Sequence, residues 1–73
     1  MAPVSLLHQL VAARLCTLLR PAFGNEFHVF EAAAVNLHPS YRIPDITVFA
    51  ARPLTLRDQS VSTQEIELAV EIV

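Results

Sequence analysis

The sequence predicts an α+β domain in which an N-terminal helix covers one face of a mostly antiparallel sheet of three to four strands. Three observations lead there. Leu7, Leu10, Val11, Leu15, Leu18 and Leu19 recur at spacings of three and four, the period of an amphipathic helix. Ile43 to Phe49 and Ile66 to Val73 are short, strongly apolar stretches with the composition of strands. The order of elements is helix first and strands after, without the alternation that builds a parallel sheet.

The helix is expected over about residues 5–19, opened by Ser5 as N-cap and stopped by Pro21. Its six apolar residues form the face expected to be buried; Ser5, Gln9, Ala13 and Thr17 fall opposite. Gly24-Asn25 supplies the turn into a first strand over about 27–37, where Phe27, Val29, Val35 and Leu37 alternate around a break near Glu31–Ala34. That break predicts a bulge, a kink or two short strands. His38-Pro39-Ser40 turns the chain into a strand over 43–49. There Pro44 removes a ladder donor and belongs at a strand start or an edge. Residues 52–64 are polar and predict a loop, and a last strand runs over about 65–73.

Seventy-three residues allow one domain, here a partial one, and 53% of them are hydrophobic against 16% charged. That is more apolar side chain than a core of this size can enclose. The last strand ends without turn, cap or polar tail, so the chain is expected to be an internal or truncated piece of a longer one. The net charge is −2, with five Arg, three His and no Lys, which leaves no basic patch for counterion-driven nucleic-acid binding. A lone Cys16 admits no internal disulfide and fits a reducing compartment. No basic leader with a cleavage site opens the chain. Arg14 and Arg20 interrupt the longest apolar run well short of the roughly 20 residues of a membrane span. These features predict a cytoplasmic protein.

The chemistry centres on Arg42-Ile43-Pro44-Asp45-Ile46-Thr47-Val48-Phe49, which puts a carboxylate inside an otherwise apolar strand, a costly place for a charge without a partner. Glu71 sits similarly in the last strand. Both are expected on the sheet face away from the helix. There they could hold magnesium, a hard cation that takes one or two carboxylates plus water and substrate phosphate. The rival structural reading makes Asp45 a turn cap or an ion-pair partner of Arg42, with Glu71 solvated. His8, His28 and His38 have no metal-ligand spacing and are expected in packing or surface roles. Cys16 is expected as a small core residue. A nucleophile elbow and a phosphate-cradling glycine loop are both absent from the sequence.

Tyr41-Arg42-Ile43-Pro44-Asp45-Ile46-Thr47-Val48, with Leu68-Ala69-Val70-Glu71-Ile72-Val73 and the helix segment His8-Gln9-Leu10-Val11-Ala12-Ala13-Arg14-Leu15, resembles the Uma-type restriction endonuclease-like family of the PD-(D/E)XK nuclease superfamily. The resemblance runs over about positions 5 to 73 and rests on the order of short motifs. It implies a partial restriction endonuclease-like core, hydrolysis of nucleic-acid phosphodiester bonds, DNA as partner, and Asp45 and Glu71 as catalytic, Mg2+-binding acids. It also implies a lysine two residues after the second acid, where this chain has Val73, or on a following helix. The chain contains no lysine, so it is expected to be inactive alone. The alternatives are a non-catalytic interaction or dimerisation module, in which exposed apolar surface makes a homo-oligomer, and a degenerate nuclease remnant.

Overall fold

A computed structural model of the chain describes residues 5–73. The α+β architecture is as expected: one N-terminal helix packs on mostly antiparallel strands. Helix α1 spans Leu6–Phe23, capped by Ser5, whose Oγ accepts the His8 amide at 3.0 Å. It runs through Pro21, past the predicted stop. The proline sits in the last turn, so only one helical hydrogen bond is lost before Gly24 ends the helix. Gly24 adopts φ 69°, a left-handed conformation suited to glycine, and its amide reaches the Arg20 carbonyl.

Among the described residues the strands number six: β1 (Phe27–Glu31), β2 (Val35–Asn36), β3 (Tyr41–Arg42), β4 (Ile46–Ala50), β5 (Val61–Ser62) and β6 (Ile66–Val70). They form two three-stranded sheets, β1-β4-β6 and β3-β2-β5, instead of one sheet. The first predicted strand divides because Ala32 takes φ 53°, which turns the chain out of β1 and sends Val35 into the second sheet. Tyr41–Arg42, outside the predicted strand, joins the same small sheet, and β4 starts later than predicted, at Ile46, after Pro44 and the bend at Asp45. The region expected as pure loop holds β5, which pairs parallel with β2, and a 3-10 turn at Thr63–Glu65. The last strand keeps its pairing only to Val70.

In the main sheet all pairs are antiparallel, with Val29 opposite Val48 and Val48 opposite Leu68. The register slips between Val48 and Phe49, leaving Glu67 as an extra residue in β6. β4 is the central strand. Ile46 and Val48 face the helix and pack with Cys16 and Val29, surrounded by Leu15, Leu19, Phe23, Phe27 and Val70. Thr47 and Phe49 point the other way and are fully buried as well. On that side Phe30 meets Phe49 edge-on at 5.2 Å, and His28 lies 5.3 Å from Phe49.

The helix seats a different face from the one its leucine spacing suggested. Ala12 and Cys16 are buried, with Leu15 and Leu19 beside them, while Leu7, Leu10 and Leu18 are 69%, 47% and 68% exposed. The closest approach to the sheet requires small side chains, so the stripe centred on Ala12 and Cys16 takes that role, and Leu6, Leu7, Leu10 and Leu18 turn outward. Among the described residues, no helix is long and apolar enough to cross a membrane.

Candidate functional site: an aspartate between helix and sheet end

Asp45 lies at the bend just before β4, and its backbone carbonyl accepts the Ala32 amide at 3.2 Å, which fixes it beside the end of β1. Pro44 cannot join a ladder, so the chain enters β4 from a bend rather than a strand, and this turns Asp45 off the face expected for it. Its carboxylate meets the helix: Oδ1 lies 3.0 Å from His8 Nε2, and Oδ2 accepts the Ile72 amide at 2.5 Å. Both side chains are largely buried, 25% exposed for His8 and 19% for Asp45. The aspartate thereby ties the first turn of α1 to the chain just past β6.

Glu71 is the residue between β6 and Ile72. Ile46 pairs with Val70, so Asp45 and Glu71 each lie one residue beyond the last pair of these two strands. Their carboxylates go to different partners. Glu71 Oε1 lies 3.5 Å from Arg42 Nε, at the rim of an apolar groove of about 430 Å³ that includes Val35, Leu37, Pro44, Ile66 and Ala69. Arg42 therefore pairs with Glu71 rather than with Asp45, the partner weighed for it from sequence. That pair is well exposed, and a surface ion pair at this distance is worth about 0–1 kcal/mol.

His8 joins Asp45 although no ligand spacing in the sequence marks it. The only signal available was its position in the first turn of the helix, opposite a strand that begins with an acid. His28 and His38 stand apart. His28 Nε2 lies 3.1 Å from the Arg52 carbonyl, and His38 donates its amide to Asn36 Oδ1 at 2.9 Å. Among the described residues, no three His, Cys, Asp or Glu side chains converge as a ready-made metal centre.

A second polar cluster closes the 51–60 loop. Arg52 donates from Nη1 to Asp58 at 3.0 Å and from Nε to Glu65 at 2.5 Å. The Thr55 amide beside Asp58, followed by Arg52, holds the Asp58 carboxyl below its usual range. Arg52 first, and then the Ser62 amide, does the same for Glu65. Every member has a protein partner, which marks the cluster as a clasp.

Neither a protein-family model, nor a curated protein, nor a solved structure matches this chain.

Proposed function

We propose that the chain carries the cation-binding part of a metal-dependent endonuclease-like site centred on Asp45, with Glu71 as its second acid. One observation supports this best: a largely buried aspartate sits beside an imidazole at the junction of helix and sheet, with a second acid just past the end of the adjoining strand. Helix α1 holds His8, and the bond from the Ala32 amide to the Asp45 carbonyl holds Asp45 at the entry to β4. Among the described residues each Asp45 oxygen has a single partner and so retains a lone pair for a cation. Glu71 gives up little by leaving Arg42. Two carboxylates at a sheet end fit magnesium, which keeps several waters and the substrate phosphate in its remaining positions.

Bound there, magnesium would polarise a phosphodiester and lower the pKa of a water. Asp45 contributes negative charge. His8 fixes the orientation of that carboxylate, and the Ile72 amide fixes its other oxygen. The sequence contains no lysine, so the cationic role implied by the family resemblance has no lysine to fill it here, and the chain alone is inactive on this reading. The net charge of −2 gives little attraction for DNA, the proposed partner, so its backbone would be bound mainly by groups outside this chain. A buried free thiol at Cys16 fits the reducing cytoplasm as its setting.

Calorimetric titration with Mg2+ and Mn2+ tests the proposal. Asp45→Asn is expected to weaken binding at least about tenfold, as loss of a charged ligand does, and Glu71→Gln to weaken it less. Circular dichroism establishes that both variants keep the fold. Equal affinity in the wild type and Asp45→Asn removes the metal site. A second reading, an interaction module without catalysis, is favoured by the exposed leucines of α1, which no catalytic role requires.

A further inference from the structure

We propose that Arg42 is the phosphate-binding residue of this site: once Glu71 turns to a cation, the Arg42 guanidinium is freed for a non-bridging oxygen of the phosphodiester. The inference rests on the metal reading above and adds to it a residue that touches the substrate. Arg42 belongs to β3, where it pairs with Val35, so the small sheet fixes its main chain while its side chain stays 70% exposed. Among the described residues the guanidinium meets a single partner, Glu71, through Nε at 3.5 Å. Most donors of its planar fork are therefore open to a ligand.

A pair this long and this exposed is given up at little cost. Glu71 is the residue that both Arg42 and a cation claim. With a cation on Glu71, the guanidinium stands unpaired beside a second positive charge, and the two repel unless an anion lies between them. A phosphodiester meets that need. It offers two non-bridging oxygens, one for each charge, and the arginine fork is the side chain best shaped for phosphate. Arg42 thus neutralises Glu71 when no cation is bound and holds phosphate when one is. Cation and phosphate then favour each other's binding, each by the same factor.

The other arginines are engaged or placed elsewhere. Arg52 is held by Asp58 and Glu65, and Arg20 reaches the Val29 carbonyl at 3.4 Å. Arg14 is exposed midway along α1, and Arg57 belongs to the 51–60 loop. Arg42 is the arginine whose side chain already touches one of the two proposed metal-binding acids.

Calorimetric and NMR titrations of the intact chain test the role, with Mg2+ and with dTpdT, a dinucleotide that carries a single phosphodiester. Mg2+ alone should shift the Nε–H resonance of Arg42, the donor that faces Glu71. Arg42→Gln should move the two affinities in opposite directions. Mg2+ should bind roughly twofold to fivefold more tightly, because Glu71 has lost its competitor, a gain within the range of an exposed ion pair. In saturating Mg2+, dTpdT should bind at least about fivefold more weakly, as loss of a charge-assisted hydrogen bond does. Arg42→Lys keeps the charge without the fork and should fall between wild type and Arg42→Gln for dTpdT. The side chain is exposed, so the circular dichroism spectrum should not change. A dTpdT affinity unchanged in Arg42→Gln, with Mg2+ still bound, overturns the proposal and leaves the metal reading standing. Weakening of both ligands together marks a merely structural role and overturns it as well. A wild type that binds no Mg2+ ends both.

Discussion

Thr47→Val is expected to stabilise this protein. Thr47 lies in the middle of β4, the strand buried on both faces, and none of its surface is exposed. Among the described residues, its Oγ1 is the one buried side-chain polar atom without a hydrogen-bond partner. A buried hydroxyl without a partner costs about 1–3 kcal/mol in proteins. Valine has nearly the same shape and suits a strand at least as well, so the substitution removes that cost without opening a cavity. The expected gain is about 1 kcal/mol or more, which for a domain of this size raises Tm by roughly 4–8 °C. Urea unfolding measures it as a higher midpoint at unchanged slope. Thr47→Ser is the control. It keeps the hydroxyl and loses a buried methyl, so it should cost about 1 kcal/mol. If Thr47→Val instead destabilises by more than about 0.5 kcal/mol, the typical spread for an uninvolved site, the hydroxyl has a partner and the reasoning fails.

The Arg52 clasp should make the 51–60 loop acid-sensitive. Asp58 and Glu65 have folded-state pKa values lowered from 3.8 and 4.5, so their contribution is fully present above those values and is lost as pH falls through the lower, folded ones. Asp58→Asn should therefore flatten the pH dependence of stability below about pH 4, the range in which free aspartate titrates, and speed proteolysis within the loop at neutral pH. An unchanged acid slope would count against the clasp. Cys16 should resist thiol reagents, because burial first, and the neighbouring Glu31 charge second, push its pKa up. Its reaction with a disulfide reagent should be slower by at least about tenfold in the folded than in the urea-unfolded chain. Comparable rates would mean that α1 lifts readily from the sheet.

Much of the fold was legible because period and composition report burial directly. The apolar run through Ile46, Val48 and Phe49 marked a buried strand, and Ser5 marked the helix start. Three features were not legible, each for a physical reason. The leucine period identified a helix but not its seated face, since close helix-sheet approach favours Ala12 and Cys16 over larger neighbours. The division into two sheets turns on the positive φ of Ala32, and alanine carries no signal for that conformation. At the candidate site, Asp45 stood out as a charge in an apolar segment, but its partners depended on tertiary geometry. His8 is 37 positions away along the chain, Ile72 contributes only a backbone amide, and Arg42 goes to Glu71.

The unpaired Glu67 in β6 has a consequence for behaviour in crowded solution. A straight apolar strand at the margin of a sheet is a template on which other chains can extend it without limit. One additional residue there puts the backbone groups on either side out of step, so a flat incoming strand cannot match them all. With 53% hydrophobic residues, this chain has ample material for fibre growth, and the misfit at Glu67 works against that outcome at one border of its main sheet.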